Sequence, residues 1–160
     1  MSSPHYITIS GSYRKFPTQV AADIEHFRDL GVTVLSPQST TILTAVDGFV
    51  SLEGDLVPNL NHLSQNNIRQ AIRLIEDSHL NAITRSDALW LTIPEGYCGT
   101  STAFEMGCAL MHGIPIFYNQ QYTPLITEPI IQKHAMPATI ERLVWTFSHS
   151  KNHRKNAKVQ

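Results

Sequence analysis

The stretch YITISGSYRKFPTQVAADIEHFRDLGVTVL, residues 6–35, decides the fold. Tyr6–Ser10 (YITIS) is short, apolar and β-branched, the composition of a strand. GSYRKFP interrupts it. From Phe16 to Leu30, Val20, Ala21, Ile24, Phe27 and Leu30 recur near the 3.6-residue period of an amphipathic helix, and Gly31 follows as a stop. Val32–Leu35 is a second strand, ended by Ser36-Pro37. Strand, helix, strand in immediate succession predicts two parallel strands joined by a crossover helix.

The same alternation continues outward. Residues 38–61 are less regular: TTILTAV and FVSL flank Asp47-Gly48, a turn signal, and predict a hairpin inserted over the edge of the core. A long helix is expected from about Asn61 to Ile83, with Ile68, Ile72, Ile75, His79 and Ala82 along its apolar stripe. Ala88–Ile93 (ALWLTI) is continuously apolar, as a strand covered on both faces must be. A helix from Thr100 to His112, a strand from Ile114 to Tyr118 and a final helix from Pro137 to Phe147 complete the series. Trp90 and Trp145 fall in apolar patterns and are expected in the core. Lys151–Lys158 (KNHRKNAK) reads as the start of a polar, frayed tail over 151–160. The prediction is a single α/β domain over residues 1–150. Its architecture is a Rossmann- or flavodoxin-like open, mostly parallel sheet of about five strands with helices on both faces.

A chain of 160 residues is long enough for one real core. A net charge of −1 supplies no field toward nucleic-acid polymers or an anionic membrane. No window approaches the length of a bilayer-spanning run. Two cysteines, Cys98 and Cys108, are too few for a disulfide framework and suit a reducing compartment. A cytoplasmic location is expected, with no metal site and no cofactor.

Open parallel sheets bind ligands beyond the carboxyl ends of their strands. That directs attention to Gly11–Phe16, Ser36–Thr41, Pro94–Thr100 and Asn119–Thr123. The first loop offers the hydroxyls of Ser10 and Ser12, the flexible Gly11, the ring of Tyr13, and the cations Arg14 and Lys15. The mixture suits an oxyanion or a sugar beneath a base, and equally a solvated turn. The third loop, within PEGYCGTSTAFEMGCAL (94–110), leads from a buried strand into a helix opened by Thr100, Ser101 and Thr102. Free N–H groups there can receive an anion, and Glu105 follows within the first turn or so, near the positive helix end. The same residues, Thr102-Ala103-Phe104-Glu105, also fit a T-x-x-E capping box, which would make Glu105 a structural cap. His79, on the apolar stripe of the long helix, fits either a hydrogen-bonded core histidine or a group facing a cavity. Asp87 reads as a turn residue.

At GTSTAFEMGCALMHGIPIFY (99–118) the chain resembles the nucleoside 2-deoxyribosyltransferase family, including the 2′-deoxynucleoside 5′-phosphate N-hydrolases. Those proteins carry a G-[ST]-A-F-E-[IL]-G-like segment after a buried strand. The resemblance implies that Glu105 is the nucleophile on the anomeric carbon. ISGSYR (9–14) is similar to the N-hydrolase loop that holds a 5′-phosphate, which implies that role for Gly11, Ser12 and Arg14. The coarse resemblance spans about residues 5–118, without the insertion. The family's helix before the central strand carries D-L-x-x-[IL] with an assisting Asp. Here the stretch is HLNAI, so His79 stands at that position. GYCGTSTAFE (96–105) also resembles the signature of cytokinin-activating phosphoribohydrolases, although Pro94-Glu95-Gly96 breaks its double glycine.

Both resemblances imply cleavage or transfer at an N-glycosidic bond of a nucleoside or nucleoside 5′-monophosphate. Glu105 and His79 are then the catalytic candidates. Ser10, Gly11, Ser12, Tyr13, Arg14, Tyr97, Gly99, Thr100 and Ser101 are the substrate-binding candidates. Two alternatives stay open: a non-catalytic nucleotide sensor, and a glycohydrolase of a nicotinamide dinucleotide. The resembling families are oligomers. The apolar helices and the FVSL segment are candidate dimer faces, so at least a homodimer is expected.

Overall fold

A computed structural model describes residues 5–156, with side chains for residues 5–150. Its central feature is a five-stranded parallel sheet in the order β2-β1-β5-β6-β7. The strands are β1 (Tyr6–Gly11), β2 (Thr33–Ser36), β5 (Ala88–Thr92), β6 (Ile116–Asn119) and β7 (Ala135–Ala138). A separate antiparallel hairpin, β3 (Ile42–Val46) and β4 (Phe49–Leu52), stands between β2 and α2 (Gln65–Thr84). The other helices are α1 (Pro17–Asp29), α3 (Thr100–Met111), α4 (Pro129–His134) and α5 (Ile140–Asn156). This is the open α/β architecture expected from the alternation of patterns.

The helices cover both faces, and β5, buried at every position, explains how. On one face Trp90 joins Ile7, Ile9, Val20, Ile24, Phe27, Ile140 and Leu143, so α1 and α5 pack there. On the other, Leu89 and Leu91 join Ile83, Met106, Ala109 and Ile131, from α2, α3 and α4. The period of two along the strand therefore sends alternate side chains into two cores, which requires the uninterrupted apolar run. Trp90 also anchors a polar link. Its Nε1 donates to Asp23 Oδ2 (2.8 Å), and Thr92 Oγ1 donates to the same oxygen (2.5 Å), tying α1 to β5. Burial pushes the Asp23 carboxyl up, against the pull of those two donors.

Several boundaries differ from the sequence reading. Strand β7 was not expected, because four residues containing Pro137 carry no strand signal. An edge position tolerates proline, where the missing N–H removes no ladder bond. The last helix accordingly starts at Ile140, not Pro137. It continues to Asn156, so residues 151–156, read as tail, are helical in their backbone; nothing between Ile140 and Asn156 breaks a helix. The rest of that tail lies outside the described residues. Trp145 is not in the core: it is 61% exposed and stacks on His149. Its place in an apolar pattern was one position off the buried stripe of Ile140, Leu143 and Val144.

The hairpin forms at the expected turn, with both Asp47 and Gly48 at positive φ. Its interior is polar. Thr44 Oγ1 and Ser51 Oγ lie 2.7 Å apart, and both donate to the Pro58 carbonyl oxygen (2.8 and 2.6 Å). Leu60 N–H returns to Thr44 Oγ1 (3.1 Å). Within FVSL, Ser51 and Leu52 are buried in this packing, while Phe49 and Val50 are half-buried.

Candidate functional site

Strands β1 and β5 send their connections to opposite sides of the sheet, β1 through α1 to β2 and β5 through α3 to β6. A crevice opens at their carboxyl ends, as such a reversal dictates. The two strand ends pair Ser10 with Leu91 and Gly11 with Thr92. They approach so closely that a Cβ on Gly11 would sit 2.6 Å from the Thr92 carbonyl oxygen, which explains the glycine. Above this floor is a cleft of about 980 Å³, in the range of small-molecule sites.

The cleft gathers nearly all the sequence candidates. Gly11, Ser12, Tyr13 and Arg14 come from the end of β1, His79 from α2, and Tyr97, Gly99, Thr100, Ser101 and Glu105 from the β5–α3 connection. Ser10 lies beneath them, fully buried, and its hydroxyl donates to Glu105 Oε2. The hairpin closes the opposite side with Gly48, Phe49 and Asp55. Among the proposed loops, Ser36–Thr41 contributes Ser36, Pro37 and Gln38. Asn119–Thr123 does not belong here. It lines a separate, more open cleft of about 660 Å³ with Asp23, His26, Thr139 and Glu141. None of the predicted site residues is found there, and the chemistry of the larger cleft is the richer.

Glu105 is not a helix cap. Helix α3 begins at Thr100 with Gly99 as its cap residue, and no side chain caps it. Thr102 is thus the third helical residue and is buried, while Glu105 lies in the second turn, one turn later than expected. The capping-box register does not occur. Instead the carboxylate turns toward the floor of the cleft, 14% exposed, with Ser10 and His79 both at Oε2. Oε1 receives no hydrogen bond from the described residues.

His79 resolves its two sequence readings together: it is largely buried and it lines the cleft. Nδ1 lies 2.6 Å from Ser36 Oγ. Nε2 lies 3.3 Å from Glu105 Oε2, off the line of a directed hydrogen bond. Burial alone would lower the imidazole pKa; the Glu105 charge, with Asp55 behind it, outweighs burial and the net direction is up. The Tyr13 ring meets His79 edge-on at 6.3 Å, and its hydroxyl donates to the Ile9 carbonyl (3.0 Å). Burial, then Glu105 and Asp55, push the Tyr13 phenol well up, so it stays protonated.

No protein-family model and no curated protein matches this sequence. The site is therefore read from its own chemistry. No helix among the described residues is long and apolar enough to cross a membrane. Nor does any group of three or more His, Cys, Asp or Glu among them stand where it could hold a metal ion. Sequence inspection passed over one i, i+4 histidine pair, His149 and His153. His149 Nδ1 lies 2.8 Å from the Trp145 carbonyl oxygen, and the His153 side chain lies outside the described residues.

Around the rim, Arg14 donates to the Gly48 carbonyl oxygen at the hairpin tip (3.1 Å), and Lys15 Nζ sits 4.0 Å from the centre of the Tyr97 ring. Tyr97 is 41% exposed and leaves a face for a ligand. Gly96 sets its direction: φ is +71°, and a Cβ there would lie 2.2 Å from the Leu125 carbonyl oxygen. Cys98 is half-buried, and burial, then Glu128 and Glu105, raise its thiol, which makes it a poor nucleophile. Ser36 stood in one of the loops singled out, though with no role of its own. Asp55, in an irregular insertion, escaped sequence reading. Its only signal was the turn glycine Gly54 between two carboxylates, Glu53 and Asp55.

Proposed function

We propose that the cleft binds a nucleoside or nucleoside 5′-monophosphate and breaks its N-glycosidic bond, with Glu105 as nucleophile. The observation that carries this reading is the state of the Glu105 carboxylate. Ser10 and His79 occupy Oε2, and Oε1 is left for a reacting atom. Glu105 Oε1 bonds to the anomeric carbon as the carbon–nitrogen bond breaks, and the electron pair leaves with the base, as in retaining glycosidases. Water then releases the sugar, or a second base accepts it. Ser12, Arg14, Thr100 and Ser101 form a polar rim suited to a 5′-phosphate: three hydroxyls and the free N–H groups at the start of α3, with one guanidinium. Tyr97 supplies a ring for the base. His79, held between Glu105 and Ser36, fixes the nucleophile. The resemblance of the Glu105 segment to 2-deoxyribosyltransferases supports the same assignment.

The test is chromatography after incubating ribo- and deoxyribonucleosides, their 5′-monophosphates and a nicotinamide dinucleotide with wild type and Glu105→Ala. Free base released by wild type alone supports the proposal and identifies the substrate. Tight binding of one nucleotide with no release from any compound overturns it in favour of a non-catalytic sensor. We also propose a homo-oligomer, supported by the exposed apolar Phe104 and Met111 of α3 and Leu74 of α2; light scattering of the purified chain measures it.

A further inference from the structure

Departure of a base as an anion is slow, so an N-glycosidic site needs a proton donor within reach of the base. Three donors that line the cleft are already engaged. His79 has Nδ1 against Ser36 Oγ and Nε2 turned to Glu105. The Tyr13 hydroxyl donates to Ile9, and Arg14 donates to Gly48. The hairpin segment supplies a carboxyl group with one oxygen that is not.

Asp55 follows β4 in a tight return. Its N–H donates to the Leu52 carbonyl (3.1 Å), and Leu52 N–H donates back to Asp55 Oδ2 (2.6 Å). Gly54, at φ +92°, makes the return possible. The carboxyl is thus held at one oxygen by a neutral backbone donor, while Oδ1 receives no hydrogen bond from the described residues. It lines the same cleft as Glu105, near enough for its charge to act on both His79 and Tyr13.

We propose that Asp55 is the acid that protonates the departing base, a role that rests on the N-glycosidic reading of the site. Two carboxyl groups in one cleft with different surroundings divide the work of acid and nucleophile. Glu105 has a hydroxyl donor and the His79 imidazole at Oε2, the oxygen opposite its working one. Asp55 has burial, which pushes its carboxyl up against the pull of the Leu52 N–H and of His79. As Glu105 Oε1 bonds to the anomeric carbon, the carbon–nitrogen pair moves to the base, and the base nitrogen takes the proton from Asp55 Oδ1. The Asp55 carboxylate then takes a proton from water as that water attacks the anomeric carbon, which frees Glu105 and restores the acid. The hairpin is on this account part of the catalyst as well as a cover. Glu76 also lines the cleft, but it is exposed on α2 and serves as the control.

The experiment measures wild type, Asp55→Asn, Glu76→Gln and Glu105→Gln on the nucleotide that wild type cleaves. It repeats the series on nicotinamide mononucleotide and 7-methylguanosine 5′-monophosphate, whose cationic bases leave neutral without a proton. Asp55→Asn should lose about 100-fold or more in kcat on the neutral base, with KM and melting temperature retained. It should lose less than about fivefold on whichever pre-charged base wild type accepts, since no acid is needed there. Glu76→Gln should match wild type, and Glu105→Gln should fail on all substrates. Equal loss by Asp55→Asn on both classes of base, an unchanged kcat on the neutral base, or the same selective loss in Glu76→Gln overturns the proposal. If wild type takes no pre-charged base, the kcat loss at constant KM and melting temperature decides. Wild type that releases no base from any compound overturns the N-glycosidic reading itself, and this assignment with it.

Discussion

His79 Nε2 lies 3.3 Å from Glu105 Oε2, in a setting where both side chains are more than four-fifths buried. The pair joins α2 to α3 across the end of the sheet, so one contact serves both packing and the candidate chemistry.

Its signature is in the pH dependence of stability. The folded-state pKa of His79 is raised, so the folded chain binds this proton more tightly than the unfolded chain does. The stabilisation is fully present below the unfolded value of about 6.5 and is lost as pH rises through the folded value. Between pH of about 5 and 6.5, wild type should exceed His79→Gln in melting temperature by its widest margin. The margin should narrow at higher pH. A margin that widens with pH would contradict the direction of the shift.

Glu105→Ala should bind the substrate nucleotide and turn it over at least about 10³-fold more slowly. Isothermal titration and single-turnover rates separate the two quantities. Loss of binding with an unchanged bound-state rate would show that Glu105 holds the ligand without reacting.

Arg14 meets the hairpin tip and faces the cleft, so its removal should be felt by charge. Arg14→Met should weaken a nucleoside 5′-monophosphate by about tenfold or more, the scale of a charge-assisted bond, and leave the nucleoside nearly unaffected. A uniform loss on both ligands would make it a hairpin anchor alone.

The two tryptophans should separate cleanly. Trp90→Phe deletes the N–H that reaches Asp23 and leaves a buried carboxyl with one fewer donor, at a cost of about 1–3 kcal/mol. Trp145→Phe, at an exposed position, should stay within about 0.5 kcal/mol. Urea denaturation curves of the two variants decide.

Gly96→Ala should destabilise far more than Gly31→Ala. Both have positive φ, but a methyl on Gly31 meets nothing within 4 Å, while one on Gly96 runs into the Leu125 backbone. Gly31→Ala carries only the left-handed penalty of about 1–2 kcal/mol. Equal losses in melting temperature would show that the Leu125 backbone yields freely.

The sheet was legible because each central strand advertises itself. ALWLT has no polar gap until Thr92, and YITIS and the α1 stripe place their neighbours. Strand β7 was not legible, because AMPA at an edge needs neither apolar alternation nor a full set of N–H groups. The candidate site was partly legible. Ser12, Arg14, Thr100 and Glu105 flank strand ends, where the topology dictates a crevice. The capping box misled because T-x-x-E specifies a spacing and not a start, and the cap residue is Gly99, three residues earlier than Thr102. Asp55 was invisible for a different reason. Its role depends on where an irregular segment folds back, and no local pattern encodes that return.

The hydroxyls of Thr44 and Ser51, clasping the Pro58 carbonyl, close the hairpin segment on itself. A segment fastened internally, and spliced between β2 and α2, is a cassette. It can be exchanged whole while the five parallel strands keep their registers. Because Asp55 rides at its end, such an exchange would replace the roof and the second carboxylate together and leave Glu105 where it is. Selectivity for the departing group and reactivity at the sugar would then be inherited as separable traits.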